Sequence, residues 1–146
     1  MVLGLKELRV MERVGVEGNH LKDEGIRAFS EAVLEYTKLK ELFVQDNEFG
    51  DIGAAALSHS LENKPLTQLN ISENHISATG LECLLRVCPS LETLELAYNS
   101  IGPAGGQLLL SQWPPGLTRL AVTCTAIGDE LEQALLSNSS QTQVLI

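Results

Sequence analysis

Apolar side chains recur along this chain in a short pattern whose clearest copy lies at residues 66–80. The apolar positions of that copy are Leu66, Leu69, Ile71 and Ile76. Leu69 and Ile71 alternate with polar residues, which is typical of a strand with one buried face. Asn74 is polar where an inward side chain is expected, and its amide can pair with backbone groups that a turn leaves free. The pattern therefore predicts a short strand followed by a tight turn.

The same pattern occurs five times when the copies are aligned on the asparagine. Four copies contain that residue and predict a structural ladder formed by Asn19, Asn47, Asn74 and Asn99. Thr125 takes its place in the fifth copy. The copies begin near residues 11, 39, 66, 91 and 117, so each repeat spans roughly 25–28 residues. A repeat of this length has room for a strand and a full helix, and we predict a single domain over residues 1–146.

Helical periodicity follows the predicted strands. One helical face in the first return arm consists of Ile26, Phe29, Val33 and Leu34. The face in the last arm consists of Leu131, Leu135 and Leu136. Glycine recurs at the turn into a helix, where the missing Cβ allows close packing, at Gly25, Gly53, Gly80 and Gly105. The last three residues, 144–146, have the character of one further strand.

The aligned copies resemble the ribonuclease-inhibitor-like class of leucine-rich repeats over about residues 11–136. The resemblance implies an α/β fold, a right-handed solenoid that forms a horseshoe segment of about five repeats. Parallel strands would lie on its concave face and helices on its convex face, and this handedness is also the general rule for strand–helix–strand crossovers. Members of the class include enzyme inhibitors, actin-binding caps, activators of small GTPases and ligand-sensing modules of immune receptors. The implied function is protein recognition on a curved surface.

Composition restricts the kind of partner. The chain of 146 residues has 19 acidic and 10 basic residues, for a formal net charge of −9. Nucleic acids and anionic membranes require a basic surface, so we expect neither as a partner. The three cysteines form no C-x-x-C pair, which indicates reduced thiols in the cytoplasm, with the nucleus as the alternative location. We expect no cofactor.

The strand side chains that do not face the core define the predicted concave face. Over the five copies this face contains seven acidic and three basic residues, which gives it a charge of −4. Two aromatic residues stand among the acids, and aromatic side chains beside charge are typical interface anchors. The predicted partner-binding residues are Glu17, Glu41, Phe43, Asp46, Glu73, Glu92, Glu95 and Tyr98. We expect a protein partner with a basic surface; the alternative is a solvated acidic face with two incidental aromatic residues.

Candidate metal-binding and catalytic residues are few. His20, Glu48 and His75 occupy the same position in successive copies, but a strand spacing of about 4.8 Å separates the two histidines by roughly 10 Å. That separation is too large for shared zinc coordination at about 2.0–2.2 Å. Arg13 and Arg119 are candidates for a GTPase-activating arginine, yet they lie in strands at opposite ends of the array. The sequence has no nucleophile elbow, phosphate-binding loop or H-E-x-x-H motif.

These observations predict a non-enzymatic protein-recognition module that binds its partner on the concave face. Two alternatives stay open from the sequence. The chain could be a GTPase-activating or other regulatory accessory protein, or it could be a structural fragment of a larger multidomain protein.

Overall fold

Six short strands and five helices alternate along the chain in the computed structural model, which describes residues 9–138 and 140–146. The strands are β1 (Arg13–Gly15), β2 (Glu41–Phe43), β3 (Gln68–Asn70), β4 (Thr93–Glu95), β5 (Arg119–Ala121) and β6 (Gln143–Leu145). The helices are α1 (Lys22–Val33), α2 (Asp51–Leu61), α3 (Ala78–Val87), α4 (Gly102–Ser111) and α5 (Asp129–Asn138). Each helix returns the chain from the end of one strand to the beginning of the next.

The strands form one parallel sheet in sequence order, from β1 to β6. Their central residues lie side by side in one row: Val14, Leu42, Leu69, Leu94, Leu120 and Val144. The first five are buried, because the pleat points the middle side chain of each strand toward the helices. This arrangement confirms the predicted α/β solenoid. The segment at the chain end forms β6 beside β5, so the sheet has one strand more than the five aligned copies.

The core between sheet and helices is aliphatic and continuous. In the second repeat the fully buried residues include Leu39, Leu42, Val44 and Phe49. Two predictions for the helical faces were wrong, since Leu34 is 48% exposed and Leu136 is 43% exposed. Leu34 directly follows α1 and keeps a helical conformation, so its side chain is rotated by about 100° from the buried Val33. Leu136 is rotated by about 100° from the buried Leu135, so only one of the two can face the core.

Two helices have their N-termini capped by the preceding repeat. Asp23, in the first turn of α1, accepts a hydrogen bond from the backbone N–H of Gly53 at 2.8 Å. Asp51 repeats this contact one repeat later and accepts from the N–H groups of Ser77 at 2.8 Å and Gly80 at 3.0 Å. A carboxylate at a helix N-terminus pairs free N–H groups and interacts favourably with the helix dipole. The carboxylates therefore join successive repeats on the helical side.

At the C-terminal end of a helix, a positively charged side chain, Lys64, joins two successive repeats. Its Nζ donates to the carbonyl oxygens of Leu34 and Tyr36, both at 3.3 Å, just beyond α1. Burial lowers the pKa of Lys64, while the charge of Glu35 acts in the other direction. A cation at this end complements the helix dipole, so the second repeat stabilises the first through this lysine as well.

No helix in the described part of the chain is long and apolar enough to cross a membrane.

Candidate functional site

The asparagine that marks each repeat joins its turn to the repeat before it. Asn74 is almost fully buried, and its Nδ2 donates to the carbonyls of Ile71 and Ser72 in its own repeat, both at 3.0 Å. The same nitrogen donates to the carbonyl of Val44 in the preceding repeat at 3.1 Å. Its Oδ1 accepts from the backbone N–H of Asn47 at 3.1 Å. One side chain thus pairs backbone groups of two turns that have no partners in a sheet or helix.

The other ladder residues differ in whether their side chains also hydrogen-bond to the preceding repeat. Asn47 and Asn99 are buried and also bond to both their own and the preceding repeat. Asn19 is exposed, and its amide donates only to carbonyls in its own turn among the described residues. Thr125 is buried, and its hydroxyl donates to the carbonyl of Val122 in its own repeat. The ladder holds the turns that follow the strands in a fixed shape.

In each repeat, the residue three positions after the end of the strand has a left-handed conformation. Its φ is 55° at Asp46, 55° at Glu73, 57° at Tyr98 and 55° at Cys124, and the first repeat has Gly18 there at 68°. All five residues are exposed. We call this row the post-strand edge. Sequence reasoning placed these positions on the strands themselves, but the strands have only three residues, so the row lies beyond their carboxyl ends.

On the strands and directly before them, the basic residues of the concave face each pair with an acidic residue of a neighbouring repeat. The pairs are Arg13–Glu41 at 3.3 Å, Lys40–Glu12 at 2.8 Å and Arg119–Glu95 at 2.7 Å. Surface ion pairs contribute little stability, but they cancel charge locally. The net charge of the concave face therefore rests on four exposed acids without an ion pair among the described residues: Glu17, Asp46, Glu73 and Glu92.

The two predicted aromatic anchors differ in accessibility. Phe43 lies on β2, and the guanidinium carbon of Arg13 stands 4.7 Å from its ring centroid, so one face of the ring is covered by this chain. Tyr98 lies on the post-strand edge and is 58% exposed. An open groove of about 650 Å³ lies beside it, lined by Glu73, Asn74, His75, Tyr98, Asn99, Ser100 and Cys124. Tyr98 is thus the more exposed of the two aromatic residues.

The row considered for metal binding forms an ion pair instead. Nδ1 of His20 lies 2.5 Å from Oε1 of Glu48, and Lys22 Nζ lies 3.9 Å from the other carboxylate oxygen. The hydrogen bond from His20 lowers the pKa of Glu48, and the charges of His20, Lys22 and His75 act in the same direction. Within residues 9–138 and 140–146, no group of histidine, cysteine and acidic side chains is arranged to hold a metal ion.

The three cysteines are free thiols in different surroundings. Cys124 is exposed on the post-strand edge, Cys83 is partly exposed on α3, and Cys88 is buried after α3. Burial raises the pKa of Cys88 to about 12, because the core disfavours a thiolate. Cys88 is therefore a core residue and not a nucleophile.

Comparison with known proteins supports the fold. A family model described as Leucine Rich repeat matches residues 37–58, 62–85 and 87–110. The Tonsoku-like proteins of Mus musculus and Bos taurus are each 35% identical over 83 residues, which is 52% of this chain but 6% of each relative. A solved structure named Leiomodin-1 Actin-Binding Site 2 is 20% identical, with a TM-score of 0.63 over 97% of this chain and 95% of that one. The parallel sheet, the repeated asparagine turns and these matches together show that this chain has a leucine-rich-repeat fold.

Proposed function

We propose that this chain is a non-enzymatic protein-recognition module that binds a basic protein partner on its concave face. Leucine-rich repeats generally mediate protein–protein interaction, and their stacked turns present an extended surface. The observation that supports a basic partner is the set of four exposed acids without ion pairs in the described part of the chain, beside the exposed ring of Tyr98. Such a field attracts cations and steers association.

A regulatory role toward GTPases is less well supported. Both candidate arginines lie on strands, where Arg13 contacts Glu41 and the ring of Phe43, and Arg119 contacts Glu95. An arginine that stabilises phosphoryl transfer must reach into the site of its partner. Both side chains are instead held by contacts within this chain. We also infer membership of the ribonuclease-inhibitor-like class, which is supported by repeats of roughly 25–28 residues with a full helix in each return arm.

Binding kinetics with charge-reversal variants test the proposal. A partner is first captured from source lysate on the immobilised protein, and purified actin is included because a relative in fold is named as an actin-binding site. We expect Glu73→Lys and Glu92→Lys to slow association, most strongly at low salt. The matched control is Glu31→Lys on the exposed side of α1. Loss of binding with the control variant alone would show that the convex face is the recognition surface.

A further inference from the structure

We propose that the partner is held at the post-strand edge and not over the strands, with one of its arginine or lysine side chains between Glu73 and Tyr98. This inference rests on the proposed function and names the part of the concave face that performs it. On the strands, Glu41 and Glu95 already contact arginines of this chain at 3.3 Å and 2.7 Å. At the edge, Glu73 is exposed and has no ion pair among the described residues.

The backbone holds Glu73 and Tyr98 in register on neighbouring repeats. The N–H of Glu73 donates to the carbonyl of Ala97 at 2.8 Å, and the N–H of Tyr98 donates to the carbonyl of Thr123 at 2.9 Å. The parallel ladder therefore continues to the edge, where neighbouring chains are about 4.8 Å apart. A single long side chain can reach the carboxylate of one repeat and the ring of the next from the groove of about 650 Å³ that both residues line.

The chain itself contains an arginine held in the proposed way. The guanidinium of Arg13 stands 4.7 Å from the centroid of the Phe43 ring and 3.3 Å from the carboxylate of Glu41. The edge has the same two elements, an aromatic ring and a carboxylate, but no cation of this chain lies over Tyr98 in the described residues. Arginine suits this site better than lysine, because its planar group stacks on a ring while it hydrogen-bonds a carboxylate.

The test uses a small probe, the acetylated and amidated tripeptide Gly-Arg-Gly, together with its citrulline analogue, which has a similar shape but no charge. Amide NMR of the isotope-labelled protein follows binding up to millimolar concentration. We expect the arginine peptide to shift the signals of Glu73, Tyr98 and Cys124, and the citrulline peptide to leave them in place. Shifts at Glu41, Phe43 and Glu95 instead, or no shifts at the edge, would overturn the inference.

Conservative variants separate this inference from the proposed function. Glu73→Gln and Tyr98→Leu change exposed side chains. Each should lower the affinity for the arginine peptide by about fivefold. Glu31→Gln on α1 removes the same charge and should leave the affinity unchanged. The same variants are then tested with the captured protein partner. If Phe43→Ala and Glu95→Gln abolish that binding while the edge variants do not, the recognition function stands and the edge inference fails.

Discussion

The Asp51 carboxylate fills the space that a side chain at Gly80 would need. A Cβ at Gly80 would lie 2.5 Å from Oδ1 of Asp51, the oxygen that accepts the Gly80 N–H at 3.0 Å. One repeat earlier, Asp23 and Gly53 form the same relationship, with a distance of 2.9 Å. Neither glycine has a left-handed φ. At both glycines a carboxylate of the preceding repeat approaches the helix, and the apolar side chain four residues earlier, Ile76 or Phe49, crowds the same space at 2.9 Å.

Gly80→Ala should lower the free energy of unfolding by about 1–3 kcal/mol, because Asp51 must leave its hydrogen bonds. At an unobstructed helical site the same change usually stabilises by about 1 kcal/mol. Urea titration measures the effect, with Thr79→Ala on the exposed side of α3 as the control. In an Asp51→Ala background part of the loss should disappear. Stabilisation by Gly80→Ala alone would contradict the proposed contact.

Asn74→Ala should cost about 1–3 kcal/mol, because it leaves buried backbone groups of two repeats unpaired. Asn19→Ala is the matched control, since Asn19 is exposed and its amide bonds only to its own turn in the described chain. Gln68→Ala on β3 should cost less than about 0.5 kcal/mol. Denaturant titrations of the three variants decide the matter, and equal losses for the two asparagines would argue against a ladder between repeats.

Cys88 should make stability fall at alkaline pH. Its pKa is about 12 in the folded protein against an ordinary value of 9.0, so between these values the unfolded thiol loses its proton and the folded thiol retains it. The unfolded state then binds fewer protons, and stability decreases by up to about 1.4 kcal/mol per pH unit above pH 9. Unfolding of the reduced protein at several pH values should show a shallower slope for Cys88→Ala. An equal slope for Cys88→Ala and the unmodified chain would contradict this role of the buried thiol.

Ala126→Gly should raise stability by about 0.5 kcal/mol, because Ala126 is exposed with a φ of 55°. Glycine adopts this conformation without the steric conflict of a Cβ, although it has more freedom in the unfolded chain. The control is Ala28→Gly on the exposed face of α1, where glycine should cost about 1 kcal/mol. Thermal or urea unfolding distinguishes the two, and a loss of equal size at both positions would show that the turn is not strained.

The spacing of apolar residues was sufficient to predict the fold. Leu69 and Ile71 specify which face of the strand is buried, and repetition of the asparagine turn specifies how the strands stack. The pairing of Arg13 with Glu41 was missed, although both occupy the third position of adjacent copies and the alignment contained that signal. The position of Lys64 against the end of α1 could not be predicted, because it depends on the path of a loop without a repeating pattern.

The candidate surface was predicted less well than the fold. The sequence identified its acids and its two aromatic residues, but it did not separate the strands from the post-strand edge. That separation depends on the strands ending after three residues, and hydrogen bonding between repeats determines where they end. Phe43 and Tyr98 therefore looked equivalent in sequence, whereas Arg13 covers the first and the second is 58% exposed.

The threonine at the fifth ladder position affects the order in which the repeats unfold. Asn99 reaches into the repeat before it, whereas the Thr125 hydroxyl bonds within its own turn in the described chain. Stability in repeat arrays depends on the interfaces between neighbours, so a weaker junction divides the chain into cooperative units. The junction passes between Tyr98 and Cys124, through the groove that both line. Fraying of the C-terminal unit would remodel one wall of the groove while Glu73 and Tyr98 stay on the more stable side.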